Sequence, residues 1–244
     1  MRVKVAQLYI ELTTRCRMHC QHCAQNCTEE GEDMSMETFV KAIAIAKNIG
    51  ANVTLGGGEP TEHDWFRSFA IYAMNTLGIG MVELVTNGMN KDICMELADW
   101  AETGLLRVQL SLDKYHDPID AETVQRFKSL NVTYYPIREL YSVSAKGRGK
   151  NIEGASKGGC GAPEVYVGVN GIMWECQCKA VQLGTVDSYE SPVCKGYDTA
   201  TEVCRGYCSN EGQLRISKED MNKYSEQMEQ WLHDKGTIIK FPRY

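Results

Sequence analysis

The sequence lacks any apolar run near the ~20 residues needed to span a bilayer, so no membrane-crossing helix is expected. It also lacks an excess of positive charge. Twenty-six Lys and Arg stand against 32 Asp and Glu, a formal charge of −6. That balance argues against a broad phosphate-binding surface and stable nucleic-acid binding, while leaving a nucleotide-sized substrate open. Residues Met1 to Gln7 are mixed and charged, without the apolar centre of a signal peptide. A secreted disulfide framework is therefore not expected, and a reducing cytoplasmic setting is. No internal repeat is present. Cysteine, by contrast, is plentiful: there are eleven.

Their arrangement matters more than their number. Cys16, Cys20 and Cys23 form a C-x3-C-x2-C triplet directly after the strand-like run Leu8 to Leu12. Thiolates select zinc or iron–sulfur clusters. Structural zinc takes four ligands, commonly as two separated pairs, so a tight triplet points to a 4Fe–4S cluster with one iron left open. A zinc site completed by His19, His22 or Cys27 is the alternative.

Strand-like and helix-like segments alternate up to about residue 137. Short β-rich runs fall at Ala6–Leu12, Asn52–Leu55, Met81–Val85, Leu106–Leu110 and Val132–Ile137. Between them, Ser35 caps a helix through Phe39, Val40, Ile43 and Ile45 that Gly50 closes. Further helices are expected over His63–Thr76, over Lys91–Glu102 and after Asp117–Pro118, with Pro118 in a first turn. The alternation implies right-handed crossovers and a parallel sheet. Five strands and four helices fall short of a closed eightfold barrel, so the expectation is an open, partial β/α barrel with its site at the carboxyl ends of the strands. Ser144 to Gly161 reads as a linker or loop. Glu164–Val169 and Ile172–Cys176, joined by Asn170-Gly171, read as a small hairpin. A terminal helix follows, capped by Ser217 and carrying Met221, Tyr224, Met228 and Leu232 on one stripe. The expected divisions are 1–143, 144–216 and 217–244.

A second motif, Gly56-Gly57-Gly58-Glu59-Pro60, follows the second strand. Consecutive glycines let the backbone approach a ligand, and Glu59 offers an acceptor for an ammonium group. The segment lacks the Lys-Ser/Thr of a phosphate loop. Taken with the cysteine triplet, it resembles the radical S-adenosylmethionine (SAM) family, in which SAM chelates the open iron. His22 departs from that family's usual aromatic residue before the third cysteine. The resemblance implies that Gly57, Gly58, Glu59 and Pro60 hold the SAM amino group. It places Thr86, Asn87, Ser111 and Asp113 against the methionyl carboxylate and ribose, although Asn-Gly and Ser-x-Asp are also ordinary turn formers.

The C-terminal part resembles a SPASM/Twitch extension, since Cys160 is followed by Gly171-Ile-Met-Trp-Glu-Cys176. The family's middle C-x2-C is absent. Six cysteines lie beyond residue 159, too few for two further clusters, so one auxiliary 4Fe–4S cluster is implied. Cys160, Cys176, Cys204 and Cys208 are the expected ligands, with Cys194 the first substitute. Cys178 shares a strand face with Cys176, so either of the two can serve as the ligand. Cys27 and Cys94 are expected to pack in apolar surroundings.

By that resemblance, an electron enters the first cluster from a flavodoxin- or ferredoxin-like donor. SAM is then cleaved to a 5′-deoxyadenosyl radical that takes hydrogen from a substrate C–H bond. A fully ligated auxiliary cluster implies electron uptake from the substrate radical, and hence a two-electron oxidation or a cross-link. Arg138, Glu139 and His116, past the strand ends, are the candidate acid–base residues. The first strand begins almost at Met1, which favours a small polar substrate or a peptide brought by a separate partner over a built-in leader-binding domain. The alternatives are a radical SAM lyase of the deazapurine-precursor type, which lacks the later cysteines, and a zinc- or cluster-stabilised binding module.

Overall fold

The computed structural model describes residues 7–78, 80–138, 143, 146–155, 164–174, 177, 179 and 182–188. The strands are β1 (Gln7–Thr13), β2 (Asn52–Gly57), β3 (Val82–Thr86), β4 (Arg107–Ser111), β5 (Ile137–Arg138), β6 (Glu164–Val167), β7 (Ile172–Trp174) and β8 (Gln182–Thr185). They form one sheet in the order β5-β4-β3-β2-β1-β6-β7-β8. The pairings from β5 to β6 are parallel, whereas β6–β7 and β7–β8 are antiparallel. Among the described residues the α-helices are α1 (Met36–Ile49), α2 (Phe66–Leu77), α3 (Lys91–Glu102) and α4 (Ala121–Lys128). Among the described residues no helix is long and apolar enough to cross a membrane.

Local chemistry explains most boundaries. The Ser35 hydroxyl accepts from Thr38 N, and Gly50 takes φ +67° at the far end of α1. Asn90 caps α3 through Ile93 N. The helix after Pro118 starts later than expected, because the Asp120 carboxylate accepts from both Glu122 N and Thr123 N and is the stronger cap. The fifth strand is shorter than the run Val132–Ile137: only Ile137 and Arg138 pair, and Pro136, lacking an N–H, contributes just its carbonyl to Leu110 N at 2.8 Å. The second strand runs on through Gly56 and Gly57, which were expected to follow it.

The larger difference lies after residue 143. The expected hairpin is not a separate extension: β6 pairs with β1 along Gln7↔Glu164 to Ile10↔Val167, and β7 and β8 continue the same sheet. Within the stretch that reads as a linker or loop, Gly147–Asn151 forms a 3₁₀ turn. Cys160, Cys176, Cys178, Cys194, Cys204, Cys208, Glu139 and the terminal helix lie outside the described residues.

The sheet has two unlike faces. Leu8, Ile10, Leu12, Val53, Leu55, Val82, Leu84, Val108, Leu110, Val165 and Val167 are buried in one core with helix residues such as Phe39, Ile43, Phe69 and Trp100. Side chains alternate along a strand, so the other face carries Gln7, Tyr9, Glu11, Thr13, Thr54, Glu83, Arg107, Gln109, Ser111, Glu164 and Tyr166. A parallel sheet ordinarily buries apolar residues on both sides. A face this polar is the candidate ligand-binding side.

Candidate active site

The cysteine triplet occupies the loop leaving β1. The loop closes on itself through Thr14 N→Glu32 O at 2.8 Å and Cys16 N→Thr28 O at 2.7 Å. Arg15 pins its far end, with Nε and Nη2 on the Asp33 carboxylate at 2.9 and 2.7 Å and Nη2 on Glu62 O at 2.6 Å. Cys20, Cys23, Cys27 and Met18 pack with Cys16 in one small cluster. Burial pushes the Cys20 thiol up to about 12, and a thiol contact with Cys27 brings Cys23 down to about 5. Cys27, 2 % exposed, is thus packed as expected, but beside the triplet, whereas Cys94 lies in the main apolar core.

The donor set fits an iron–sulfur cluster: three thiols pack together in one loop, and thiolates select such clusters or zinc. Among the described residues, the one set of three ligand atoms lying within 4.8 Å of each other is that of His22, Asp113 and His116; the three thiols are not in it. A tetrahedral zinc needs sulfurs about 3.8 Å apart, given Zn–S near 2.3 Å. Neither histidine joins the thiols in such a set: His19 lies 3.4 Å from Glu29 and His22 faces Asp113.

The glycine segment is stitched to the same loop by Gly58 N→Thr13 O at 2.7 Å and Glu59 N→Arg15 O at 2.8 Å. Gly57 sits at φ +123°, and a Cβ there would collide with Thr13 O. Glu59 is 1 % exposed. Its Oε1 accepts from Thr61 Oγ1 at 2.7 Å and Thr86 Oγ1 at 2.8 Å, and its Oε2 from Asn87 N at 2.6 Å. Its carboxylate therefore ties the end of β2 to the end of β3, and burial raises its pKa. Asn87 in turn directs Nδ2 at Cys16 Sγ, 3.6 Å away. Thr86, Asn87 and Glu59 thus meet the cysteine loop as one hydrogen-bonded unit.

Beyond β4, Asp113 and His116 stand 3.0 Å apart, Oδ1 to Nδ1, and His22 Nε2 lies 3.8 Å from Asp113 Oδ2. All three side chains are at most 10 % exposed. Burial lowers the His22 pKa and the neighbouring Asp113 opposes that shift. Ser111 ends β4 in register with Arg138 on β5. Arg138 is itself exposed, yet its charge reaches Tyr9, His22, Glu83 and Glu164. It therefore faces the polar side of the sheet.

Several residues of this face were not singled out from sequence. Glu11 is 1 % exposed and lies 3.5 Å from Lys179 Nζ, which also sits over the Tyr166 ring. Tyr9 stacks on Tyr166 with ring centres 5.3 Å apart. Glu164 is pushed up to about 7 by burial, against the pull of Arg138. The alternation Gln7-Tyr9-Glu11-Thr13 was the signal that would have found them.

A family model described as the radical SAM superfamily matches residues 10–136, just over half of the chain. The GTP 3′,8-cyclase of Haemophilus influenzae (strain 86-028NP) is 30 % identical over 113 residues, covering 43 % of this chain and 32 % of that protein. A probable GTP 3′,8-cyclase of Methanopyrus kandleri is 32 % identical over 112 residues, covering 45 % and 35 %. The chain thus spans about a third of the length of the curated relatives it matches. Among solved structures, BtrN in complex with AdoMet and 2-DOIA aligns with a TM-score of 0.59 at 13 % identity, over 88 % of this chain and 98 % of BtrN. The structure of anSMEcpe with bound AdoMet and Cp18Cys peptide gives 0.52 at 14 %, over 94 % and 98 %. Those two likenesses concern the fold. The family match covers the cysteine loop, the glycine segment and the ends of β3 and β4 together, and the chain belongs to the radical SAM superfamily.

Proposed function

We propose that this chain is a radical SAM enzyme that oxidises or otherwise modifies a polar substrate held on the polar face of an open, partial barrel. Membership of the superfamily implies a 4Fe–4S cluster and SAM; the observation that carries the finer reading is the convergence of three separate loops on one place. Cys16, Cys20 and Cys23 would hold the cluster. When bound, the cluster and SAM supply a 5′-deoxyadenosyl radical, and an auxiliary cluster on Cys160, Cys176, Cys204 and Cys208, or with Cys194, would supply an electron sink.

The chain's own residues then have distinct work. Glu59, locked between Thr61, Thr86 and Asn87, shapes the glycine segment. The Gly57 and Gly58 backbone and Pro60 present the surface that receives the methionyl end of SAM. Asn87 donates toward Cys16 Sγ and so favours its thiolate. Ser111 and Asp113 would contact the ribose. With Nδ1 of His116 turned to Asp113, its Nε2 is the atom that accepts a proton as the substrate is oxidised, and Asp113 stabilises the imidazolium. Arg138 orients the substrate from β5, with Glu139 beside it in sequence. The polar residues Gln109, Glu83 and Tyr9 suit a hydroxylated metabolite or a peptide side chain, for which the auxiliary cysteines argue as well.

A second reading, rearrangement of a purine nucleotide, draws on the names of the curated relatives. Arg107 and Arg138 on the polar face are its possible phosphate partners. Mass spectrometry of anaerobic, reduced reactions separates the two. Deoxyadenosine released with a product two hydrogens lighter, from a polyol or peptide, supports the first; an isomer formed from GTP supports the second.

A further inference from the structure

The 3₁₀ turn Gly147–Asn151 is more than a connection between β5 and β6. Arg148 reaches back more than 120 residues to the cysteine loop. Its backbone N donates to Cys23 O at 3.0 Å, Nε to Cys20 O at 2.9 Å, and Nη1 to Cys27 O at 2.9 Å. Three carbonyls, each belonging to a cysteine, thus end on one residue. Gly147, at φ +51°, lies so close to Cys23 O and Ala24 O that a Cβ would collide with both. Gly149 is buried beneath the turn. The contact is therefore built from both sides: the backbone comes close because Gly147 permits it, and the guanidinium fork then spans the loop.

We propose that Arg148 is a positioning residue for the cluster: it fixes the cysteine loop in its ligating shape and sets how readily the cluster accepts an electron. The inference rests on the cluster assignment of Cys16, Cys20 and Cys23. The physical argument has two parts. A loop whose carbonyls are tied to a fixed fork keeps its sulfurs in place when the metal is lost or attacked. A permanent positive charge beside thiolate ligands stabilises the more negative, reduced cluster, because charge and hydrogen bonding around the ligands tune such potentials.

The test uses full-length protein, anaerobically reconstituted with iron and sulfide, and compares wild type with Arg148→Gln, Arg148→Lys and Gly147→Ala. Two quantities are read: the rate of iron loss to a chelator, and the midpoint potential of the paramagnetic signal that changes when SAM is added. Arg148→Gln is expected to lose iron several-fold faster and to show a more negative potential. Arg148→Lys keeps the charge without the fork; it is expected to lose iron faster but stay near the wild-type potential. Gly147→Ala is expected to behave as Arg148→Lys does. If Arg148→Gln retains no iron at all, the loop-fixing role stands and the potential role is read from the two charge-retaining variants, which must then stay near wild type. An Arg148→Gln protein with wild-type iron retention and potential overturns the inference alone. A wild-type protein with no SAM-responsive signal overturns the cluster assignment together with it.

Discussion

The two faces of the one sheet divide the molecule's work. On the helix side, Leu8, Ile10 and Leu12 of β1 are completely buried among α1 and α2 residues. On the other side the same strand presents Tyr9, Glu11 and Thr13, with two of these three buried yet polar. Neighbouring residues in sequence therefore answer to different constraints. One set secures the fold through apolar burial. The other lies against charges that only a ligand or a network makes useful. If that division holds, substitutions on the two faces should separate function from stability.

The largest effect is expected on the polar side. His116→Ala should lower product formation by about 10²–10⁴-fold, the usual range for a lost general acid or base. Cleavage of SAM without substrate should persist, since His116 is assigned to the proton and not to the cluster. Measuring product and deoxyadenosine in the same reaction checks both. A proportional loss of the two would erase the distinction between His116 and the cluster loop.

On the helix side the effect should be on folding alone. Ile10→Ala, at a fully buried site, should cost about 2–5 kcal/mol of stability. Denaturant titration measures this, and deoxyadenosine release per folded molecule should remain unchanged. A large drop in turnover at unchanged stability would mean that the two faces are coupled.

The smallest effect concerns Glu164, which stands between the two roles at the foot of the polar face. Its carboxyl is raised from 4.5 to about 7 by burial. The folded state thus holds its proton more tightly than the unfolded chain. Its contribution favours folding most below pH 4.5 and is lost as pH rises to about 7. Glu164→Gln should remove that slope and leave the variant about 1–3 kcal/mol more stable than wild type near pH ~8. Thermal or denaturant unfolding across this range checks the sign. Equal slopes in both proteins would place the carboxyl in water.

Much of this was written locally in the chain. Ser35 and Gly50 bound α1, and α3 coincides with its expected span Lys91–Glu102, because caps and hydrophobic spacing act over a few residues. The same holds for the cysteine triplet and glycine segment, whose meaning lies in their spacing. The fifth strand was overread because Val132 to Ile137 has strand-like composition, while pairing depends on which residues reach β4. Pro118 looked like a helix start, yet Asp120 satisfied two backbone donors at once.

What was not legible is long-range. Nothing near Arg148 in sequence announces that it will grip the carbonyls of Cys20 and Cys27, and its segment reads only as a linker or loop. Nor did the hairpin residues Val165 and Val167 announce a parallel partner in β1, since parallel pairing carries no local turn signal. The partners of Glu59 were not legible either: its oxygens accept from Thr61, Thr86 and Asn87, a tie between the ends of β2 and β3. The polar alternation on β1 was visible in the sequence; its significance came only with the neighbouring Glu83, Arg107 and Glu164.

The most direct test of the central claim is spectroscopic. Anaerobically reconstituted, reduced protein should give a 4Fe–4S paramagnetic signal that shifts on addition of SAM, and Cys16→Ser should abolish the responding signal. A signal indifferent to SAM, or one that survives in Cys16→Ser unchanged, would contradict the assignment of Cys16, Cys20 and Cys23 to a SAM-binding cluster.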